Sequence, residues 1–485
     1  MYSLILLAVV SFLSALVLTP VLRDVFARWG VMDAADGVRK IQKRPVPRLG
    51  GVPIIVACIV AYGVLMLSPL GGGHAVMRAL PSVWRLLPAV GVVLGIGILD
   101  DILGLKPWEK LAGEVLACGL AIASGVQLTG IVGVHFPPVL ALLGTVVWLV
   151  GCTNAVNLID GMDGLASGIA LLATSTTFIA ALVQGDWGLA VATIPLAGAL
   201  LGFLRYNYNP ASIYLGDSGS LTLGFLLGCY GILWSQKAAT MVGMTAPLLL
   251  LAVPLADAGL AIVRRFLGQQ PIFGADRGHI HHRLLARGFT TRRAVLLLYA
   301  VAGVCAWLSL AVGLLHQNYT EIFLYIFVLG TLVAVHLLKY AEFGTARRMV
   351  LEGAFRRLLN ARITLDGVRE RLEAARSVEQ CWRQMAEAYQ DFGFTSLELR
   401  AGGQTYKHPA REQSVPLGGQ GGWQVRVDLR HGDQVALRRN GGMHNHITLA
   451  AGFMEMLETT LAAKLAEFRE LGEPGPKRSR AAAAL

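Results

Sequence analysis

Eleven apolar runs, separated by short polar stretches, follow one another through the first 340 residues: Tyr2–Leu22, Val52–Leu70, Leu86–Leu99, Leu111–Val126, Val139–Val156, Leu165–Val183, Leu189–Leu204, Ser220–Trp234, Met244–Val263, Ala294–Leu315 and Ile322–Leu338. A bilayer core needs about 20 apolar residues per helix, so the pattern predicts about eleven transmembrane helices, the third, seventh and eighth gaining a turn at either end. The first run lacks the basic start of a signal peptide and ten more follow it, so it too reads as a span. Beyond residue 340 the pattern changes. Val350, Leu351, Phe355, Leu358 and Leu359 stand at helical spacing among Arg and Glu within residues 345–376. A short amphipathic helix about Trp382 and Tyr389, strands near Phe394–Leu399, Trp423–Leu429 and Gln434–Arg438, and a helix over Ile447–Leu471 are expected next. The fold class is therefore an all-α polytopic membrane protein carrying a small C-terminal α/β domain. Residues 1–340 form the transmembrane domain, 341–470 the cytoplasmic α/β domain, and 471–485 a disordered tail.

Composition agrees with the pattern: 54% of the 485 residues are hydrophobic and only 15% charged, too few charges to cover soluble domains of this total length. Disorder, coiled coil and a disulfide-knotted secreted fold are excluded. Six cysteines (Cys58, Cys118, Cys152, Cys229, Cys305 and Cys381) show no CxxC spacing and read as reduced thiols. Charge distribution sets the orientation. If the connections alternate sides, 18 of the 21 Lys and Arg in residues 1–340 fall on the side of the first loop. Basic loops face the cytoplasm, which puts the N-terminus outside and the tail inside. Twelve of the 14 acidic residues in the same region fall on or near that side too, which no orientation rule requires.

Four constellations lie on this face. Asp100 and Asp101 end the third span, where adjacent carboxylates repel and oppose the helix macrodipole. Asn154, Asn157, Asp160 and Asp163 recur every third residue, and would line one stripe if the helix persisted, while Gly161 and Gly164 permit a break there instead. Gly216-Asp217-Ser218-Gly219-Ser220 opens the eighth span, where free amides suit phosphate oxygens and Asp217 suits a hard cation such as Mg²⁺; alone, it also suits an ordinary turn. His279, His281 and His282 beside Arg277 and Arg283 suit an anion-binding edge better than zinc, a generic basic loop being the bland alternative. Asp257, inside the ninth span, is a functional candidate because ionisable groups are costly there.

Together, DGVRKIQKRPVPRLGG (36–51), LDD (99–101), NAVNLIDGMDGL (154–165), YNYNPASIYLGDSGS (206–220) and PIFGADRGHIHHRL (271–284) resemble the polyprenyl-phosphate N-acetylhexosamine-1-phosphate transferase family, glycosyltransferase family 4. The likeness covers roughly residues 1–340. The HIHH form most resembles the branch of undecaprenyl-phosphate GlcNAc-1-phosphate transferases. The resemblance implies transfer of a sugar-1-phosphate from a UDP-N-acetylhexosamine to undecaprenyl phosphate in a bacterial inner membrane, on its cytoplasmic side, with release of UMP and with Mg²⁺ as cofactor, Mn²⁺ standing in. It makes Asp217 the principal metal ligand, with Asp160 beside it. Asp100 and Asp101 fall near lipid phosphate and metal, and Asn157, Asp160 and Asp163 around the diphosphate. Tyr214 and Asn207 lie against uracil, His279, His281, His282 and Arg283 near the diphosphate or sugar, and Lys40 and Arg48 contribute from the first loop. No nucleic acid is implied, and a homodimer is left open. The alternatives are the phospho-MurNAc-pentapeptide transferase of the same family and, from a different class, a secondary transporter, against which the clustering of polar residues at one membrane edge and the lack of an internal repeat both speak.

Overall fold

A computed structural model describes residues 1–33, 45–68, 74–131, 134–237, 245–267, 279–314, 354–392, 394–408, 423–429, 432–439 and 447–470. The chain divides into two compact units, Met1–Glu342 and Phe343–Leu485. The expected eleventh span, Lys40, Arg277, residues 345–353 and the C-terminal tail lie outside the described residues.

Unit one is helical. Its elements are α1 (Tyr2–Arg28), α2 (Gly51–Leu67), α3 (His74–Leu103), α4 (Pro107–Ala123), α5 (Pro138–Ile159), α6 (Leu165–Val183), α7 (Trp187–Asn207), α8 (Gly216–Lys237), α9 (Thr245–Leu250), α10 (Ala252–Leu267), α11 (Ile280–Ala286) and α12 (Thr291–Leu314). Two short ribbons, β1 (Met32–Asp33) with β2 (Val46–Pro47) and β3 (Gly130–Ile131) with β4 (Val134–His135), join them. Seven of the helices are long and apolar enough to cross a bilayer: α1, α3 from Val83, α5, α6, α7, α8 and α12. The expected ninth span is divided at Leu251 into α9 and α10.

Lipid as solvent shows in α1. Ile5, Val9, Leu13, Val17 and Val21 form an exposed apolar stripe at a spacing of four, while Leu4, Leu7, Ser11, Ala15 and Thr19 are buried. The buried side packs on α7, and Gly198 and Gly202 let the backbones close up: a Cβ on Gly198 would lie 2.4 Å from the Ala8 carbonyl oxygen, and one on Gly202 2.6 Å from that of Phe12.

Away from water every backbone carbonyl needs a partner within the protein. Pro20 in α1 and Pro195 in α7 each remove the N–H that would reach the carbonyl four residues earlier. Tyrosine hydroxyls replace both: Tyr206 Oη donates to Leu16 O at 3.0 Å, and Tyr62 Oη to Val191 O at 2.9 Å.

Unit two contains α13 (Ala354–Glu373), α14 (Val378–Ala388), the strands β5 (Ser396–Ala401), β6 (Gln404–His408), β7 (Trp423–Asp428) and β8 (Gln434–Arg439), then α15 (Ile447–Met456), which runs through a π turn at Leu457–Leu461 into α16 (Ala462–Glu470). The sheet is antiparallel in the order β6-β5-β8-β7. Leu397, Leu399, Val435 and Leu437 share a core with Phe392, Phe394, Phe453 and Met385. Sequence alternation misses β6 because QTYKH is an edge strand with no fully buried position.

Replacing Tyr62 by Phe strands the Val191 carbonyl and is expected to cost about 1–3 kcal/mol. A lowered thermal-unfolding midpoint in detergent checks this, and adding Pro195→Ala, which returns the missing N–H, restores most of the loss.

Candidate active site

The site begins where α8 begins. Gly216 has φ +68°, and a Cβ there would lie 2.6 Å from Asp101 Oδ2. Only glycine suits both conditions. Past it, Asp217 N–H and Ser218 N–H each donate to the Asp101 carboxylate at 2.9 Å. The amides expected to meet a substrate phosphate are thus occupied by Asp101, which is 3% exposed and ties the end of α3 to the start of α8. Its charge opposes the macrodipole of its own helix and favours that of α8, so the junction compensates it.

Glycines bring the first loop onto the same spot. A Cβ on Gly51 would lie 2.4 Å from the Ser218 carbonyl carbon, and one on Gly50 2.6 Å from Tyr214 O. Tyr214 N–H donates to Pro47 O at 2.8 Å and Gly50 N–H to Tyr214 O at 3.1 Å, holding residues 47–50 alongside 214. Between them Leu49 is buried at φ +97°, a conformation that costs a non-glycine residue about 1–3 kcal/mol. Arg48 thereby reaches the cleft, 3.9 Å from Asp33.

The next wall comes from α5 and its turn. Helical geometry ends at Ile159, so Asp160 and Asp163 do not continue the stripe of Asn154 and Asn157; the glycines break it, Gly164 at φ +77°. Asp163 accepts from Asn209 Nδ2 at 2.9 Å and Ala211 N at 3.0 Å, bracing the loop before α8. Asn207 is 2% exposed, accepting from Ser167 Oγ at 2.6 Å and donating to Ile213 O at 2.9 Å. A side chain so engaged supports the loop, a different part from the base contact expected of it.

The result is an open cleft of about 340 Å³. Of the expected residues, Arg48, Asp101, Asp160 and Asp163 line it on one part, and Asn207, Tyr214, Asp217 and His282 on the rest. Asp100, Asn157, His279, His281 and Arg283 are not among its lining residues. Asp100 is nevertheless joined to Asp217 through Lys110: Lys110 Nζ lies 2.5 Å from Asp100 Oδ2 and 2.6 Å from Asp217 Oδ2. Asp100 Oδ1 also accepts from Leu105 N–H at 2.7 Å. His281 is buried against Gly161, whose Cβ would lie 2.3 Å from His281 Nε2. Arg283 follows on α11, partly exposed.

Lys110 escapes the sequence reading, where it counts only as one more cation at a span boundary. So does Glu114, one turn later on α4 and 2% exposed, whose Oε2 accepts from Asn154 Nδ2 at 2.6 Å. The available signal is their spacing of four on one helix face, with Lys110 nine residues beyond Asp101.

Electrostatically the cleft is short of positive charge. Asp160 sits at its floor, where burial and then the charges of Asp217, Asp101 and Asp163 push its carboxyl well above the usual carboxylate range. Burial opposes the charge on Lys110, but the Asp217 and Asp100 carboxylates outweigh it and raise the ammonium above its ordinary value. Among the described residues no group of three or more His, Cys, Asp and Glu side chains forms a complete metal cage. A partial one fits Mg²⁺, which takes one or two carboxylates and completes its shell with water and substrate phosphate. Asp100 and Asp217 already converge on one cationic position, now filled by Lys110.

Burial, followed by the neighbouring His282, lowers His281 to about 4 from 6.5. A folded protein that keeps this ring neutral is favoured above the unfolded value and loses that advantage as pH falls from about 6.5 to about 4, by about 3 kcal/mol in all. Over that window the unfolding midpoint of the native protein is expected to fall faster than that of His281→Gln. For Lys110→Gln, which leaves Asp100 and Asp217 facing each other, chelator is expected to lower stability by about 1–3 kcal/mol relative to the native protein. Added Mg²⁺ should recover most of it, both effects being read by thermal unfolding.

Comparison with known proteins adds an independent finding. A family model described as glycosyl transferase family 4 matches residues 83–235. A probable undecaprenyl-phosphate N-acetylglucosaminyl 1-phosphate transferase of Bacillus subtilis is 34% identical over 299 residues, spanning 60% of this chain and 80% of the relative. A decaprenyl-phosphate N-acetylglucosaminephosphotransferase of Mycolicibacterium smegmatis is 34% identical over 298 residues, 56% of this chain and 72% of its own. A phospho-N-acetylmuramoyl-pentapeptide-transferase of Levilactobacillus brevis is 30% identical over 291 residues, 56% and 86% respectively.

Proposed function

The chain belongs to glycosyl transferase family 4, and from that premise we propose that it transfers N-acetylhexosamine-1-phosphate, specifically GlcNAc-1-phosphate, from UDP-GlcNAc to undecaprenyl phosphate. The observation that carries the reading is the meeting of Asp100 and Asp217, from helices distant in sequence that Asp101 ties together, on one cationic position beside an open cleft.

The reaction brings two anions together. A phosphate oxygen of the lipid attacks the sugar-proximal phosphorus of the donor, a bond forms there, and the bridging bond to UMP breaks. Since the second pKa of a phosphate monoester is near 6, the nucleophile is largely dianionic at neutral pH and needs no base. The geometry of Asp100 supports this, because both its oxygens are engaged, by Leu105 N–H and Lys110. Its part is to hold charge and orientation. Asp217 and Asp100, with Asp160 adjacent, would hold Mg²⁺, which would supply the charge neutralisation that lets the anions approach. Lys110, which bridges the two carboxylates, would be a further cation for phosphoryl oxygens. Arg48 and His282 offer further donors in the cleft, Arg283 with His279 and His281 support that edge, and Lys40 belongs to the same basic loop as Arg48. Tyr214, with Asn207 behind it, would meet the uridine, and Asn157 and Asp163 border the diphosphate.

Orientation follows from solubility. A nucleotide sugar comes from cytosol, whereas each CH₂ of a polyprenyl chain costs about 0.8 kcal/mol to expose. The cleft therefore faces the cytoplasm of a bacterial cell, in an inner-membrane protein of eleven spans with its N-terminus outside and unit two inside. The basic-loop asymmetry supports that arrangement.

Purified protein with undecaprenyl phosphate and labelled UDP-GlcNAc should form labelled lipid and UMP only with a divalent cation. Asp217→Asn should lower the rate by about a hundredfold or more. Transfer from UDP-MurNAc-pentapeptide in preference to UDP-GlcNAc would assign the other branch, and no lipid product from either would refute the reading.

A further inference from the structure

Asp257 stands at the middle of α10, 3% exposed, and plays no direct part in the cleft. A carboxylate kept in so dry a place requires a compensating partner. Its two oxygens are spent on consecutive residues from the far side of the 268–278 stretch. Asp257 Oδ2 is 2.9 Å from His279 Nδ1, and Oδ1 accepts the Ile280 N–H at 2.8 Å. An ionised carboxylate only accepts. Nδ1 of His279 must therefore carry a proton, which fixes both the ring's orientation and the nitrogen it turns toward its other neighbours.

That orientation passes along a stack of rings. His279 and His281 are parallel to within 3°, their centroids 5.7 Å apart. His281 and His282 are 4.3 Å apart at 45°. On its other side His281 meets the backbone at Gly161, where no Cβ would fit. His281 is thus wedged between a ring anchored by Asp257 and the turn that carries Asp160. The rings therefore run from His279 through His281 to His282, the histidine of this segment that lines the cleft.

We propose that Asp257 is a positioning residue for the transfer reaction: by fixing the tautomer and tilt of His279 it places His282 against the anionic part of the nucleotide-sugar donor. This rests on the transferase reading above. An acid used merely to cap α11 would fix Ile280 N–H alone; the second oxygen on an imidazole nitrogen, at the head of a stack ending in the cleft, is what the capping role leaves unexplained.

Asparagine is the informative substitution because it offers one acceptor oxygen where the native residue offers two. The full chain, purified in detergent or nanodiscs, is assayed with UDP-GlcNAc and undecaprenyl phosphate as Asp257→Asn and Asp257→Glu. The Asn variant is expected to raise the donor KM about tenfold while kcat changes by less than about threefold. The Glu variant, which keeps both acceptors, regains part of that KM, and the melting temperatures stay close to the native value. Native KM in Asp257→Asn overturns the proposal, and so does a loss in both variants that tracks only the fraction of folded protein. If native protein shows no transfer, the functional reading fails, and the positioning claim is then decided by histidine ¹⁵N spectra of the native chain. The resonance removed by His279→Gln must show a protonated Nδ1 at neutral pH; a bare Nδ1 there refutes the anchor.

Discussion

Carboxylates held close together where water solvates them poorly repel one another, and the architecture of unit one is arranged about that repulsion. Asp101 is relieved by two amides at the start of α8, Asp163 by Asn209 and the Ala211 amide, Asp100 and Asp217 by a shared ammonium, and Asp257 by a histidine and an amide. Asp160, at the turn after α5, is pushed toward protonation by burial and then by the charges of Asp217, Asp101 and Asp163. Each relief joins segments that are distant in sequence, so the electrostatics and the tertiary fold are a single problem. Holding α3 to α8 through Asp101 is also what brings Asp100 and Asp217 within reach of Lys110.

A second constraint comes from lipid. Prolines within α1 and α7 would strand carbonyls in a solvent that offers no hydrogen, and tyrosines from neighbouring helices supply it. Glycines at helix crossings let backbones meet, as at Gly198 and Gly202 against α1 and at Gly224 against Thr153 on α5. These contacts leave little room for adjustment and give the cleft rigid walls on the α5, α7 and α8 sides.

Much of this is legible in the sequence, for identifiable reasons. Apolar runs announce helices because lipid imposes a minimum length, and seven helices meet it among the described residues. Aspartates at the ends of those runs announce a site because their cost demands a use. The break after Ile159 could be foreseen from Gly161 and Gly164 but competed with a helical stripe of equal spacing; packing of His281 against Gly161 decides it. What the sequence conceals is pairing. Lys110 carries no motif, and its meaning lies in the two carboxylates that tertiary structure brings to it. Glu114 looks like a stray acid in an apolar run until Asn154 stands opposite. Asn207, set against uracil by the family resemblance, lines the cleft with its amide already engaged by Ser167 and Ile213. In unit two, strands with buried alternation are legible, and the edge strand Gln404–His408 is not, since only its hydrogen bonds to β5 define it.

The tethered ammonium has a consequence for catalysis. A site of several carboxylates that stood empty between turnovers would either take up protons or spread apart, and either change would have to be reversed before the next substrate bound. Lys110 counters both at Asp100 and Asp217, because it supplies a positive charge from within the chain. A divalent ion arriving with a diphosphate would offer two charges plus phosphate oxygens, and would meet the single ammonium of Lys110 as its competitor for Asp100 and Asp217. On the same argument the shared ammonium holds Asp100 and Asp217 within reach of one another at the edge of a cleft otherwise short of positive charge.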